Sequence, residues 1–418
     1  MNTIDCLVIG GGSAGLAAAI SAKENGIDQI LVLEKESEAG GILQQCIHNG
    51  FGLHTFKEEL AGPEYAHRYI VKANELHIDV RVETTVLSVS EDKVVRYSNA
   101  KEGIVSVKAK SIILATGCRE RTAGNILMPS KRPTGVWTAG TAQKYVNIDG
   151  YMVGKRVLIL GSGDIGLIMA RRMTLEGAKV EAVAEIMPYS NGLTRNIVQC
   201  LHDYDIPLYL SHTVISVEGK ERVEAVVLAE VDEYKQPIKG TEKRFEVDTL
   251  LLSVGLIPEN TMAEDMGVEL SPITKGAIID HQYQCSVEGV FACGNALLVH
   301  DVVDYVSEQG ALAGKFAAKY LKEGLTQEKG MPILAQGEAS FVVPQLLKTT
   351  ADESVKLYYR IKQPMKKAKV MIKHQGEIVF EQVKNHLVPA EMEQLVLKPE
   401  LIAKLSDECV LEVINLGN

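Results

Sequence analysis

A chain of 418 residues, 46% hydrophobic and 23% charged, has ordinary globular composition and room for two or three domains. Its formal net charge of −10, with no basic block, argues against nucleic acid and anionic membranes as main partners. No apolar run reaches bilayer-spanning length. The seven cysteines (Cys6, Cys46, Cys118, Cys200, Cys285, Cys293 and Cys409) are scattered with no C-x-x-C, which excludes a disulfide scaffold, a cysteine-based zinc or iron–sulfur site by local spacing, and a local redox dithiol.

In chain order, residues 6–34 read CLVIGGGSAGLAAAISAKENGIDQILVLE. The apolar run 6–9 suits a buried parallel strand. Residues 10–15 fit G-x-G-x-x-G, 16–23 an Ala-rich helix that Gly26 can end, and 30–33 a second strand that delivers Glu34. Gly10 allows the tight turn, Gly12 lets a pyrophosphate approach the backbone, and Gly15 permits close helix–strand packing. The helix start offers free N–H groups to phosphates, and Glu34 can accept from a ribose hydroxyl. The same residues resemble the start of a signal sequence. The N-terminal stretch as a whole lacks a basic n-region and carries Asp5, so a cytoplasmic chain is expected.

Residues 40–50 form a loop rich in Gly and polar side chains. Residues 64–76 read as a helix, 80–89 as a strand with a turn, 94–97 and 104–108 as a hairpin, and 111–115 as a buried strand ending in Thr116-Gly117. Residues 119–135, with Pro129 and Pro133, read as a connection. At 156–185 the opening motif returns. A constant shift of 151 positions carries Gly10, Gly12, Gly15, Gly26 and Glu34 onto Gly161, Gly163, Gly166, Gly177 and Glu185 without a gap. Two dinucleotide-binding domains are therefore expected. The second has a late strand over 249–254, ending at Gly255.

Residues 289–295 form a short strand ending at Gly294-Asn295, and a helix follows over 303–320, read as the return of the chain to the first domain. Beyond Met331, short strands are expected at 342–343, 355–361, 368–372, 378–383 and 410–414. The Lys-rich stretch 362–373 reads as a solvated strand face and edge protection. The expected fold is α/β, with two Rossmann-like dinucleotide-binding domains and a small β-rich C-terminal domain. The boundaries are 1–122 with 276–328 for the first domain, 123–275 for the inserted second, and 329–418 for the third.

In this order, G-x-G-x-x-G with Glu34, Ala115-Thr116-Gly117, the second G-x-G-x-x-G, and Val290-Phe291-Ala292-Cys293-Gly294-Asn295 with its helix, the chain resembles the two-dinucleotide-binding-domain flavoproteins, also called pyridine-nucleotide-disulfide oxidoreductase-like proteins. The segment 119–143 is similar to the branch holding the large subunits of sarcosine oxidase, opine oxidase and hydrogen cyanide synthase, and flavoproteins associated with glycerol-3-phosphate dehydrogenase. The resemblance implies FAD in the first domain, NAD or NADP in the second, and hydride transfer between them.

Carried over by residue, the FAD contacts are Gly10, Gly12, Ser13, Ala14, Gly15, Glu34, Lys35, Gly41, Val86, Ala115, Thr116, Gly117, Gly294, Asn295, Val306 and Ser307. Asn295 replaces the family's usual Asp and lacks its charge. The NAD contacts are Gly161, Gly163, Asp164, Ile165, Gly166, Glu185 and Gly255. Glu185 disfavours a 2′-phosphate, while Arg195, ten positions on, keeps NADP open.

Catalytic candidates are Cys46, His48 and Asp304, with His300, Asp301 and Tyr305 in the same loops. Structural roles stand beside these: Asp304 as a helix cap, Tyr305 as packing, His300 in a solvated loop, and Cys46 as an inert thiol. No metal site is expected. The leading expectation is an FAD-dependent NAD(P)H oxidoreductase without an internal redox disulfide, working with a small-molecule or protein electron partner. That partner could be a flavoprotein or iron–sulfur subunit of a larger dehydrogenase, and self-association is compatible with the sequence. The alternatives are a stand-alone NADH oxidase, peroxidase or coenzyme A disulfide reductase-like enzyme using Cys46, and a non-enzymatic FAD-binding sensor or assembly protein.

Overall fold

The strand that holds the apolar run 6–9 begins four residues before it, at Asn2. Strand β1 spans Asn2–Ile9 and helix α1 spans Ser13–Glu24. The helix begins three residues before the Ala-rich stretch because the loop supplies its first turn. Gly12 is an extended N-cap, and Leu16 N–H already donates to Gly12 O at 2.9 Å. The computed structural model describes residues 2–324 and 330–417. The chain divides into two compact units, Met1–Cys118 with Pro258–Asn418, and Arg119–Ile257.

In the first unit, β2 (Ile30–Leu33), α2 (Gly62–Glu75), β3 (Asp79–Arg81), β4 (Thr85–Val89), β5 (Val94–Asn99) and β6 (Gly103–Leu114) follow. The stretches 104–108 and 111–115, expected as separate strands, are one. The amino-terminal half of β6 pairs antiparallel with β5, and its carboxyl-terminal half pairs parallel with β1. The polar stretch Lys108-Ala109-Lys110 looks like a break, yet β1 pairs through it on one edge while the pairing with β5 ends on the other. Conversely, 80–89 is two strands, since β3 joins β2 in parallel and β4 joins β5 antiparallel.

In the second unit, β7 (Val136–Thr138), α3 (Ala139–Asn147), β8 (Arg156–Leu160), α4 (Asp164–Leu175), β9 (Lys179–Glu185), α5 (Thr194–Cys200), β10 (Leu208–Leu210) and β11 (Thr249–Leu252) build a parallel sheet ordered β7-β11-β8-β9-β10. A three-stranded antiparallel sheet over His212–Glu218, Ala225–Glu230 and Lys243–Phe245 lies between β10 and β11 in the chain. It carries weak alternation and was not expected, nor were the short helices α3 and α5.

The chain re-enters the first unit, where β12 (Val290–Ala292) pairs parallel with β6 and is followed by helix α6 (Val303–Glu323). The first sheet then runs β3-β2-β1-β6-β5-β4, with β12 also on β6. Helix α6 crosses α1 at its small residues. A Cβ at Gly310 would lie 2.2 Å from Ala14 O, and one at Gly314 2.0 Å from Ala18 O. This close approach explains why both helices are rich in Ala and Gly.

The C-terminal strands form a five-stranded and a three-stranded sheet around a core including Leu357, Val370, Leu397, Leu411 and Val413. Strand Met365–His374 pairs on both sides, with Glu377–Leu387 and Cys409–Asn415, so the Lys-rich stretch does not protect an edge. Lys366 and Lys367 are exposed, whereas Lys369 and Lys373 pair with Glu381 and Glu412. A buried pair, Lys348 Nζ to Asp280 Oδ2 at 2.6 Å, ties these sheets to the preceding segment. Among the described residues no helix is long and apolar enough to cross a membrane.

Candidate cofactor site

At the carboxyl end of the first sheet, Ile9, Leu33, Leu114 and Ala292 lie in register across parallel strands. The segments that follow them, 10–15, 34, 115–117 and 293–295, therefore emerge side by side. This is the edge where open α/β sheets hold ligands. Gly10 has φ +105°, and a Cβ there would lie 2.3 Å from Ala115 O; a Cβ at Gly15 would lie 1.8 Å from Gly10 O. Neither position has room for a side chain. At Gly12 the nearest atom to such a Cβ is Gly41 Cα at 3.9 Å, so the backbone there faces open space. The N–H groups of Ser13, Ala14 and Gly15, in the first turn of α1, have no intrahelical acceptor. An open glycine at the head of a helix with free donors fits a pyrophosphate. Gly40 N–H donates to Gly11 O at 2.8 Å and brings Gly41 over the loop.

Glu34 is 5% exposed. Its carboxylate accepts from Gly11 N–H at 2.7 Å and Glu36 N–H at 2.9 Å. The shift of 151 positions carries over to these bonds. Glu185, 4% exposed, accepts from Ser162 N–H at 2.9 Å and Met187 N–H at 3.0 Å. Ser162 Oγ adds a third bond at 2.7 Å, a donor with no counterpart at Gly11. Gly161 and Gly166 are as crowded as Gly10 and Gly15, with Cβ positions 2.0 Å from Ser253 O and 2.5 Å from Gly161 O; Gly163 is open, with nothing nearer than 3.6 Å. The helix ends match too: Gly26 and Gly177 have φ +81° and +88° one residue past their C-caps.

The cradles differ at the fourth motif position. Ser13 in the first corresponds to Asp164 in the second, whose carboxylate accepts from Leu193 N–H at 2.8 Å and Asn196 Nδ2 at 2.6 Å. Ile165, beside it, is half-buried. Ser253 bounds Gly161 as Ala115 bounds Gly10. Sequence reading overlooked it, although Ser253-Val254-Gly255 parallels Ala115-Thr116-Gly117. Gly117 and Gly255 both have positive φ, +73° and +102°.

The remaining candidates are placed as follows. Lys35 is exposed and Val86 half-buried on β4 opposite Tyr97. Thr116 Oγ1 donates to Glu259 O at 2.5 Å. A Cβ at Gly294 would lie 2.7 Å from Ala14 Cβ and 3.1 Å from Val306 Cγ1, so the starts of α1 and α6 converge on that glycine. Asn295 has both ends of its amide in use: Nδ2 donates to Cys118 Sγ at 3.7 Å, and Oδ1 accepts from His300 N–H at 3.0 Å. Ser307 Oγ accepts from Tyr65 OH at 2.8 Å.

Cys46 Sγ donates to Ile42 O at 3.2 Å, and burial pushes its thiol up to about 12. None of the seven cysteines is in a disulfide. His48 packs on Phe51, ring centroids 4.9 Å apart, with Nδ1 3.0 Å from Asn49 O. Asp304 does not cap α6, since the N-cap is Val302. Asp304 accepts from Gly52 N–H at 3.3 Å and Thr55 N–H at 2.8 Å. His300 is not solvated. Both ring nitrogens are enclosed, and burial pushes its pKa down to about 4. Asp301 pairs with Arg360 at 3.5 Å, and Tyr305 lies against His54 at 5.6 Å between ring centroids. A separate groove of about 820 Å³ lined by Leu16, Ala39, Ile70, Ala73, Val80 and Val82 contains none of the cradle glycines. Among the described residues no cluster of three His, Cys, Asp or Glu side chains could hold a metal ion.

The profile of one family, Pyridine nucleotide-disulphide oxidoreductase, matches residues 4–314. Hydrogen cyanide synthase subunit HcnB of Pseudomonas protegens is 24% identical over 290 residues, which are 64% of this chain and 60% of that protein. Sarcosine oxidase subunit alpha of Corynebacterium sp. is 26% identical over 278 residues, 61% of this chain and 26% of that protein. Each match thus takes in less than two thirds of the relative's own length. The crystal structure of T. acidophilum thioredoxin reductase superposes with a TM-score of 0.63 at 23% identity, covering 76% of this chain and 99% of that one. This likeness carries the fold, two dinucleotide-binding domains of Rossmann type. The match over three quarters of the chain, on a fold whose two cradles are built alike, places the chain in the pyridine nucleotide-disulphide oxidoreductase family, whose members are FAD-dependent oxidoreductases that use NAD(P)H.

Proposed function

We propose that this chain moves electrons between a nicotinamide cofactor and FAD without an internal redox disulfide, as one component of a larger dehydrogenase. The observation that carries the reading is the pairing of two equivalent cradles with seven cysteines that form no disulfide, of which Cys46, the one in the loop beside the first cradle, has its thiol pushed up to about 12. Such a thiol stays protonated and unreactive at neutral pH. When bound, FAD supplies a two-electron centre that accepts a hydride from NAD(P)H and hands electrons on singly or in pairs.

The chain's own residues bind and orient. In the discontinuous first domain, Gly12 and the first turn of α1 hold the FAD pyrophosphate, Glu34 the ribose, and residues 115–117 and 294–295 the far end of the cofactor. In the second domain, Gly163 and α4 hold the other pyrophosphate. Glu185, whose carboxylate would repel a 2′-phosphate, selects NAD over NADP. The companion is a protein with its own redox centre, in keeping with the naming of two relatives as subunits. Seven cysteines with no disulfide among them suit the reducing cytoplasm.

The test is anaerobic titration of the purified flavoprotein with NADH and NADPH, in the wild type and in Cys46→Ser. Stoichiometric bleaching of the flavin band by NADH in both proteins is expected. A flavin that NADH does not bleach overturns the oxidoreductase reading. Loss of NADH-dependent peroxide turnover in Cys46→Ser, with dye reduction kept, would favour the lone-thiol enzyme instead.

A further inference from the structure

Asp304 is 3% exposed, sits in the first turn of α6, and spends its carboxylate on the backbone of another segment, the loop at Gly52 and Thr55. A second contact runs parallel to it. Tyr65 on α2, fully buried, donates to Ser307 Oγ at 2.8 Å, one turn further along α6, and its oxygen lies 3.5 Å from Thr55 Oγ1. Between these contacts the loop is tightly turned. Gly52 has φ +86°, and a Cβ there would meet Glu58 O at 3.2 Å; Phe56 N–H donates to Gly52 O at 2.8 Å, and Phe56 packs edge-on against Tyr65 at 5.2 Å. The loop cannot shift without breaking a bond to α6. The same turn of α6 carries Val306, whose side chain converges with Ala14 on Gly294. The clamp thus stands at the wall of the first cradle.

We propose that Asp304 is a positioning residue with an electrostatic consequence. With Tyr65 it locks residues 52–56 onto α6, and it places a fixed negative charge beside the cofactor, which disfavours the added negative charge of the reduced flavin. The inference rests on the reading of the first cradle as the FAD site. Asp304 is not a proton donor or acceptor in this scheme, because both its oxygens are committed to backbone N–H groups. The opposing effect is the positive end of the α6 dipole, which alone would favour the reduced, anionic ring. Asp304, inside the first turn, offsets it.

The test uses full-length protein carrying FAD and measures the flavin midpoint potential and the rate of FAD dissociation. Asp304→Asn keeps an acceptor but removes the charge, so a positive shift in potential is expected, with FAD lost roughly tenfold faster as one bond to the loop fails. Tyr65→Phe removes only the hydroxyl; it should speed FAD loss without moving the potential. Asp304→Glu retains the charge at a displaced point, so its potential should stay near the wild-type value, and it serves where the Asn variant folds poorly. Wild-type protein that binds no FAD overturns the cradle reading and this inference with it. Wild type that binds FAD, with an Asp304→Asn variant of unchanged potential, overturns the inference alone.

Discussion

His300 shows what a single residue contributes that its sequence neighbours do not announce. In a loop between a Gly-Asn turn and a helix it reads as solvated, yet its ring sits against Tyr358 at 5.4 Å between centroids and its nitrogens are enclosed. Burial pushes its pKa down to about 4 from an ordinary 6.5. With the folded value depressed, the unfolded chain takes up a proton between those two pH values that the native protein does not. Native stability is therefore intact above 6.5 and declines as pH falls toward 4, by about 3 kcal/mol from this group. The His300→Gln variant should keep more of its neutral-pH stability at about pH 4.5 than the wild type, measured by urea unfolding at both pH values. Equal losses would show that the ring is hydrated in the native state. Environments of this kind are hidden in the sequence because a histidine's surroundings are made by segments far from it, here the strand Val355–Ile361 that bears both Tyr358 and Arg360.

Among elements, the crossing of α1 and α6 carries the most consequence. Its small residues were legible as a pattern, but their partner was not. A Gly to Ala change in a helix interior normally stabilises by about 1 kcal/mol. At Gly310 the added methyl would meet Ala14 O at 2.2 Å, and the two helices must part. Overpacking of this kind costs about 1–3 kcal/mol, so Gly310→Ala should unfold at lower temperature and retain less FAD. A melting temperature above wild type would mean that the helices separate freely. Strand β6 marks the limit of local reading from the other side. Periodicity alone divides it where Lys108 and Lys110 interrupt the apolar pattern. The backbone continues because β1 pairs along one edge from Val107 to Leu114 while β5 gives way to β12 on the other.

For the whole molecule, the C-terminal sheets are held to the rest of their unit by charged contacts that no motif predicts. Lys348 and Asp280 form a pair whose side chains are 6% and 8% exposed. Removing one partner leaves the other charge buried, at a cost of about 3–5 kcal/mol. Lys348→Met should therefore lower the chemical unfolding midpoint, and adding Asp280→Asn should recover part of the loss. An unchanged midpoint in the single variant would mean that water reaches the pair. The chain by itself determined the two cradles, because everything a cradle needs lies within about thirty consecutive residues: the strand, the turning glycines, the helix and the terminal acid. That locality is why the repeat, the fold class and two dinucleotide sites could be read directly, while the assignment of FAD to one and NAD to the other came from the family resemblance. Tertiary structure decided which distant segments complete each cradle. The in-register ends of β1, β2, β6 and β12 bring 115–117 and 293–295 to the first loop. The crossing of α6 over α1 carries Asp304 to Thr55, 249 residues away in sequence. Strand register and helix crossing are set by packing across the whole unit, so no local pattern encodes them.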